Sequence, residues 1–435
     1  MRLLQLLSLA VKYLRRYFRR YIFLLMALTF GFAIITVITS LQDGMYKAVY
    51  NAAQGHYAGD LFVLGVDKDS DTKFRVSRVE PVLEAVEETG LQPTRVVRRT
   101  QFGNEGLVYF NGTAVRHKYV FGVDWNNEQE YFQSLNYSAG GPEELSESTR
   151  DIMLSKPVAD ELAARVGDRV LLEVSTRTGQ KNTGHFIVRG IVDSTNIFGY
   201  YKCYISRENL NRLLRYGPEE CSTIGIYLPR RSNLEQKALR LQQALEDRVA
   251  LGPLIKDRHD ANVQYSKSWD GIRHFVLTLR TYLSEVADLL AAINMVGYFL
   301  YVMMILIVLA SIFVTYELIL HERAREIGTM RSLGFYAEDI QLVLVLESVL
   351  LFAVSMVLGF VIARAAVWGI SFLSFSWIPS FDIFMQNGRL QAEFYLRTIL
   401  INIGIMLLIL IPAVWVPAWR ISLRDLPEVL SGGNR

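Results

Sequence analysis

Four stretches of the chain are apolar all round rather than along one stripe: Tyr21–Leu41, Leu289–Leu320, Ile340–Leu373 and Ile399–Val416. A helix rises 1.5 Å per residue, so each stretch is long enough to cross a hydrocarbon core of about 30 Å. Between the first and second, apolar and polar positions alternate in short runs, as in a water-soluble domain. The β-branched and aromatic content predicts strands at Asp60–Val66, Arg95–Arg99, Gly106–Phe110, Lys118–Val123 and Ile152–Ser155. Further strands are predicted at Val170–Val174, His185–Val192, Tyr201–Ile205 and Cys221–Leu228. Helical spacing marks Val79–Glu88, Lys156–Ala164, Arg207–Arg215 and Leu234–Val249. Glu130–Ser146 is polar and reads as an insertion. From about Ser266 the pattern turns helical and meets the second span without a proline, which predicts one helix over Val276–Tyr316, with a kink near Leu283 as the alternative. Such a helix is well over 50 Å long at 1.5 Å per residue, and a rod of that length could transmit force.

The fold class that follows is an α-helical membrane protein with four transmembrane helices. An α+β domain, one subdomain inserted in another at about 126–215, sits between the first and second helices. The expected boundaries are a terminal helix at 1–20, spans at 21–41, 285–320, 340–370 and 397–417, and the α+β domain at 42–284. A short loop at 321–339, a longer one at 371–396 and a tail at 418–435 complete the chain. Within 1–20, Leu3, Leu7, Ala10, Val11 and Leu14 share a helical face opposite Arg2, Lys12, Arg15 and Arg19, the pattern of a helix lying in the membrane surface.

Charge changes this picture by giving it a direction. The segments 1–20, 321–339 and 418–435 together hold twelve Lys or Arg against six Asp or Glu, although the formal net charge of the chain is only +3. Lys and Arg near span ends mark the cytoplasmic side, so both termini and the 321–339 loop are expected there, and the α+β domain outside. The small net charge gives no reason to expect nucleic acid as a partner. Tyr21–Leu41 is followed by no small-x-small cleavage pattern and reads as a retained anchor. Two cysteines, Cys203 and Cys221, fall in the exported segment, where a disulfide is permitted but spacing does not decide it.

Enzyme signatures are absent from the sequence. There is no Gly-Lys-Ser/Thr phosphate loop, no His-Glu-x-x-His and no Gly-x-Ser-x-Gly, and the six histidines are scattered without metal-ligand spacing. No catalytic residue, bound cofactor or metal is therefore expected in this chain. Energy must come from another subunit or a gradient. The informative polar stretch is Glu317–Asp339, where Ile327, Met330, Leu333 and Phe335 form an apolar ridge among Arg and Glu, with Gly328 and Gly334 permitting tight turns. A short helix with such a ridge suits docking into a groove of another protein.

His321-Glu-Arg-Ala-Arg-Glu-Ile-Gly-Thr-Met-Arg-Ser-Leu-Gly-Phe resembles the coupling loop of FtsX-like permeases of the macrolide-exporter (MacB) and lipoprotein-releasing (Lol) types. Glu347 and Gly359 resemble that family's pattern in the third span, and Pro417-Ala-Trp-Arg-Ile-Ser-Leu-Arg-Asp-Leu-Pro its tail. Ile152-Met-Leu-Ser-Lys-Pro-Val-Ala-Asp-Glu-Leu with Val166-Gly-Asp-Arg-Val resembles its periplasmic domain, with porter and sabre-like subdomains. Gly55-His56-Tyr57 before Asp60-Leu-Phe-Val is similar to the turn after the first span in lipoprotein-releasing members, apart from an inserted Ala-Gly.

The resemblance implies a dimer of permeases, the second being the same chain or a paralogue, in the bacterial inner membrane. A separate cytoplasmic ABC ATPase binds the ATP and Mg, and mechanotransmission moves the exodomains. It maps Arg323, Arg325, Glu326, Ile327 and Gly328, then Met330, Arg331, Leu333 and Gly334, onto the ATPase-coupling motif. It further implies a lipoprotein substrate, membrane lipid, a periplasmic carrier, and a cavity for acyl chains. That cavity would be lined by Thr36, Ile38, Leu41 and Met45 of the first span and Ile293, Val296, Phe299 and Leu300 of the second. Macrolide-type efflux is the alternative, although that type carries its ATPase fused at the N-terminus. A non-transporting regulator of cell-wall hydrolases is a third, with an exodomain usually smaller than this one. Ser355, Gly359 and Ala363 form a small-xxx-small stripe that fits either dimer contact or packing within one subunit. Glu347, inside the third span, must face protein or water.

Overall fold

The architecture comes from a computed structural model, which describes residues 2–103, 106–143, 145, 149–193, 198–229, 231–375, 381–386 and 388–422. The chain opens with α1 (Arg2–Arg16) and α2 (Phe18–Tyr57). There follow β1 (Leu61–Asp67), α3 (Glu80–Glu88), β2 (Arg95–Gly103), β3 (Leu107–Phe110), β4 (Thr113–Arg116), β5 (Tyr119–Val123), α4 (Gln129–Gln133) and β6 (Tyr137–Gly140). The next run is β7 (Asp151–Ser155), α5 (Lys156–Leu162), β8 (Arg169–Ser175), β9 (Lys181–Val192), β10 (Lys202–Ser206) and α6 (Arg207–Leu214). Then come β11 (Thr223–Tyr227), α7 (Leu234–Leu245), α8 (Arg258–Ser266), β12 (Ile272–Thr278) and α9 (Leu279–Leu283). Three long helices close the described chain: α10 (Ala287–Ser332), α11 (Ala337–Ile370) and α12 (Leu396–Ser422). The expected tail motif falls outside the described residues from 423 onward.

Contacts divide the chain into two units. One comprises Met1–Tyr46, Leu289–Phe375 and Arg389–Arg435; the other comprises Lys47–Asp288 and Ser376–Gly388. Four helices, α2, α10, α11 and α12, are long and apolar enough to cross a membrane. They share one core, in which Leu24, Leu28, Phe32 and Ile35 of α2 meet Val308, Ile312 and Tyr316 of α10, Leu351 and Phe352 of α11, and Met406 and Leu410 of α12. Small residues set the closest approaches. A Cβ on Gly31 would collide with Val308 Cγ2 at 2.4 Å, and one on Gly359 would meet the Thr29 carbonyl at 2.7 Å. Ser355 and Ala363, on the same stripe as Gly359, are fully buried, and Ser355 Oγ donates to the Leu25 carbonyl. The small-residue stripe is thus occupied by α2 of the same chain.

The α+β unit is a mixed sheet in the order β12-β1-β11-β2-β5-β10-β7-β9-β8-β3-β4, with β6 paired to β9. Its parallel pairs are β5–β10 and β7–β9. Two cores lie along it. Leu61, Val63, Ile224, Ile226 and Val276 pack with α3 and α7, whereas Ile152, Leu154, Val188, Cys203 and Ile205 pack with α5 and α6. The second core draws on residues 102–216, which are flanked on both sides by strands of the first. Cys203 and Cys221 belong to different cores and are free; burial pushes both thiols up to about 12.

One expectation is corrected and three are refined. The single helix over Val276–Tyr316 does not form: Ile272–Thr278 is strand β12, paired with β1 residue by residue from Leu61↔Thr278 to Asp67↔Ile272. Helix α10 instead begins at Ala287 and runs on to Ser332, so most of the expected 321–339 loop is its last turns. Helix α2 is continuous from Phe18 to Tyr57, and its residues from Lys47 fall in the α+β unit. The polar stretch 130–146 also holds structure, with Tyr137 and Ala139 of β6 paired to β9. Finally, the apolar face of α1 is partly covered by protein: Leu6 and Ala10 are buried against Val343 of α11.

Candidate functional site

The turn between α10 and α11 is built to hold its shape. Gly334 takes a left-handed φ of +93°, its N–H donates to the Arg331 carbonyl at 3.0 Å, and Phe335 N–H donates to the Met330 carbonyl at 3.2 Å. This pair of bonds closes the C-terminus of α10 in the manner that glycine favours. Three residues after Gly334, α11 starts at Ala337 with Glu338 and Asp339 in its first turn, where the helix dipole favours acids. The apolar ridge of the sequence is divided at this point. Ile327 and Met330 turn inward, into the core shared by the long helices. Leu333 and Tyr336 stand out from the tip, 74% and 73% exposed, with Phe335 exposed beside them. Arg325 is exposed, Glu326 and Arg331 are half-buried, Gly328 is buried, and Gly334 is exposed.

Arg323 does not share that surface. It is 2% exposed and donates from Nη1 to Tyr21 Oη at 2.6 Å and to Glu347 Oε2 at 2.5 Å. The Tyr21 hydroxyl donates to the same Glu347 oxygen at 2.5 Å. The guanidinium lies over the Tyr13 ring at 4.9 Å and the Tyr17 ring at 5.9 Å. Arg20 pairs with Glu322 and Glu326 at 3.6 and 3.7 Å. The buried carboxylate of the third span thereby joins α1, α2, α10 and α11 at one point. Sequence showed that Glu347 needed a partner; only the three-dimensional arrangement shows that Arg323 is that partner.

At the other end of the same helices lies a cleft of about 480 Å³. Its walls are Thr39, Gln42, Asp43 and Tyr46 of α2, Asn294, Tyr298 and Tyr301 of α10, and Thr398, Ile401, Asn402 and Ile405 of α12. None of the eight residues expected to line an acyl-chain cavity is among them. Thr36 is buried, Ile38, Leu41, Met45 and Ile293 are half-buried, and Val296, Phe299 and Leu300 are exposed on the outside of α10.

Within the α+β unit, Gly55 and His56, expected in a turn before the first strand, are instead the last helical turn of α2, held by a buried ion pair. Arg99 of β2 forks onto Glu128, with Nε donating to both carboxylate oxygens at 3.1 and 2.8 Å and Nη2 also bonded to Oε2. Its other donors reach the carbonyls of Gly55 (3.1 Å) and His56, the last turn of α2. A cation there satisfies helix-end carbonyls and opposes the negative end of the helix dipole. Asp60, also buried, accepts from Tyr50 and Gln54 of α2 at 3.1 and 2.9 Å and from Leu228 N–H at 2.8 Å. Lys202 Nζ lies 2.6 Å from His56 Nε2. The end of α2 is thus fixed to β1, β2 and β11. Among the described residues no group of His, Cys, Asp and Glu has the arrangement of a metal site.

Residues 298–425 match the family description "FtsX-like permease C-terminal", and residues 22–244, just over half of the 435-residue chain, match "MacB-like periplasmic core domain". The chain belongs to the FtsX/MacB-type ABC permease family. The permease is similar in structure to the periplasmic region of MacB from Actinobacillus actinomycetemcomitans, with 12% identity over 54% of this chain and 95% of that one, at a TM-score of 0.32. It is also similar to a domain of a permease-annotated protein from Porphyromonas gingivalis, with 12% identity over 43% and 79%, at a TM-score of 0.28. No curated protein matches the sequence. The permease is a multi-pass protein of the bacterial inner membrane with a MacB-like periplasmic α+β domain. Members of the family are generally non-catalytic membrane subunits that work with a cytoplasmic ABC ATPase.

Proposed function

We propose that this permease releases lipoproteins from the inner membrane, driven by ATP that a separate ABC ATPase hydrolyses on the cytoplasmic face. The observation that carries the coupling part is the tip at Leu333–Tyr336, an exposed apolar knob between two helices whose ends are closed by their own hydrogen bonds. A rigid apolar projection with charged flanks is suited to a groove on a partner. Movement of the tip would be carried by α10, about 69 Å long at 1.5 Å per residue, to the shared core with α2. Helix α2 would pass it to the periplasmic domain through the Arg99 and Asp60 contacts at its end. In this reading both termini and the tip are cytoplasmic, and a second permease, identical or paralogous, completes the assembly. The excess of Lys and Arg in the segments flanking the spans supports that orientation.

The lipoprotein branch is supported by the Gly55–His56 turn, which sits where α2 is fastened to the sheet. The MacB-like core match equally favours efflux from the periplasm as the second reading. Reconstitution with the ATPase in lipid nanodiscs separates them. Release of a triacylated lipoprotein to a periplasmic carrier on addition of ATP is the expected result. ATP hydrolysis without release to any carrier would remove the lipoprotein assignment.

A further inference from the structure

The α+β unit carries a groove of about 670 Å³ beside the last turns of α2, and nine of the ten residues around it are polar. Two of them are arginines whose guanidinium groups are already held in place. Arg95 Cζ of β2 stands 4.2 Å from the Tyr227 ring centre, and its Nη1 donates to the Asn127 carbonyl at 3.0 Å. Arg231 Cζ stands 4.7 Å from the Tyr50 ring, with Nη1 donating to Asn51 Oδ1 at 3.1 Å and Nη2 to Gln54 Oε1 at 2.7 Å. A guanidinium carries five N–H donors, so each arginine keeps donors beyond these. The loop from β5 to α4 supplies another wall, and it is braced. Asn127 N–H donates to Asp124 Oδ1 at 3.1 Å, and its Nδ2 donates to the Val96 carbonyl at 2.9 Å. Asn126 and Gln129 are exposed, and among the described residues their side-chain amides make no hydrogen bond. Glu130, the one acid on the wall, lies 3.6 Å from Arg95 Nη1 with its side chain 89% exposed.

We propose that this groove binds a short extended peptide bearing one carboxylate, contributed by a protein partner in the periplasm. Charge decides between the anions. Two arginines against one glutamate leave a single positive charge on the wall, and buried Asp60, 3.6 Å from Arg231 Nε, weakens the field further. A carboxylate matches that charge, whereas a phosphate group would bring about −1.5 to −2. The planar guanidinium pairs with a carboxylate through two parallel bonds, and side chains already stacked on tyrosine rings lose little freedom in doing so. Asn126 and Gln129 each offer an amide donor and acceptor, the complement of a peptide N–H and C=O. Two sources share this chemistry, an Asp or Glu side chain and a free C-terminus. Neither depends on whether the permease releases lipoproteins. A peptide seated here would touch Gln54 and Arg231, tied to α2, together with the loop that carries Glu128, so its binding would bear on the end of α2.

The test uses the full-length permease in nanodiscs and two peptides carrying an uncharged fluorophore at the N-terminus. One is Gly-Ser-Asp-Ser-Gly with an amidated C-terminus, the other Gly-Ser-Gly-Ser-Gly with a free one. Controls replace Asp by Asn or by phosphoserine in the first and amidate the second. At least one acidic peptide should bind, and its neutral counterpart should bind at least about tenfold more weakly. Which of the two binds identifies the source of the carboxylate. Arg95→Gln should weaken that peptide about tenfold. Glu130→Gln, at an exposed position, should tighten it about threefold by removing the competing acid, and Gln129→Leu should weaken it by a similar factor. Tightening and weakening from exposed positions separate binding from any loss of fold. Equal affinity for charged and neutral peptides, or no binding below about 1 mM, would overturn the proposal. So would tighter binding of the phosphoserine peptide than of the Asp peptide, or an affinity that Glu130→Gln leaves unchanged.

Discussion

Two buried Arg–Glu pairs, one in each unit, do different things with the same chemistry. Arg99 and Glu128 in the periplasmic domain meet as a fork, and the spare donors of Arg99 are taken by two helix carbonyls. Arg323 and Glu347 in the membrane unit meet through a single carboxylate oxygen shared with Tyr21. Among the described residues Arg323 Nε and Glu347 Oε1 have no hydrogen bond, although Nε lies 3.5 Å from Glu326. A fully satisfied buried network rigidifies its surroundings, whereas one with unused donors and acceptors has fewer bonds to break when it rearranges. The periplasmic pair is thus the fuller fastening, and the membrane pair is a looser joint where α1, α2, α10 and α11 meet.

The largest effect should come from breaking the fastening. Glu128→Ala leaves Arg99 buried without its carboxylate and should cost about 3–5 kcal/mol, seen as a lower denaturant midpoint of the periplasmic domain in the full-length protein. A loss under about 1 kcal/mol, typical of an exposed pair, would mean that the fork carries no load. Next in size is a buried group without a hydrogen bond. Among the described residues His117 makes none through either ring nitrogen, and burial pushes its pKa down to about 4 from 6.5. The unfolded chain therefore takes up the proton first. Stability is fully present above pH 6.5 and falls as the pH drops toward 4, by up to about 3 kcal/mol. His117→Phe should flatten that slope between pH 6.5 and 4 in denaturant titrations; an unchanged slope would show that other groups cause it.

Glu347→Gln should do less than Glu128→Ala, about 1–3 kcal/mol in thermal unfolding of the detergent-solubilised permease, because one oxygen already lacks a partner and the amide keeps a bond to Arg323. Equal losses from the two variants would erase the distinction between fastening and joint.

Much of this arrangement was legible in the sequence, and the parts that were not have physical reasons. Uniform apolarity identified the four spans, and the alternating runs identified most strands, because both signals are local. Ile272–Thr278 was misread as helix since nothing within it announces that its partner is β1, more than two hundred residues earlier. The ridge at Ile327, Met330 and Leu333 was visible, but periodicity cannot tell a face that docks outside from one that packs inside. Here α10 continues far enough to bury its first two members and expose the third. The polar wall of the cleft was not legible, because it needs a third contributor, Thr398 and Asn402 of α12, which no spacing in α2 or α10 foretells.

The central claim is that the exposed tip receives the push. The direct measurement is ATPase stimulation and co-purification of the partner ATPase with Leu333→Asp in nanodiscs, compared with Ile327→Asp. Leu333→Asp should leave thermal stability within about 0.5 kcal/mol, as for surface changes, and abolish both stimulation and co-purification. Ile327→Asp, which buries a carboxylate in the core of the long helices, should instead lower the unfolding temperature. A Leu333→Asp permease that still binds the ATPase and stimulates hydrolysis at the wild-type rate would contradict the account.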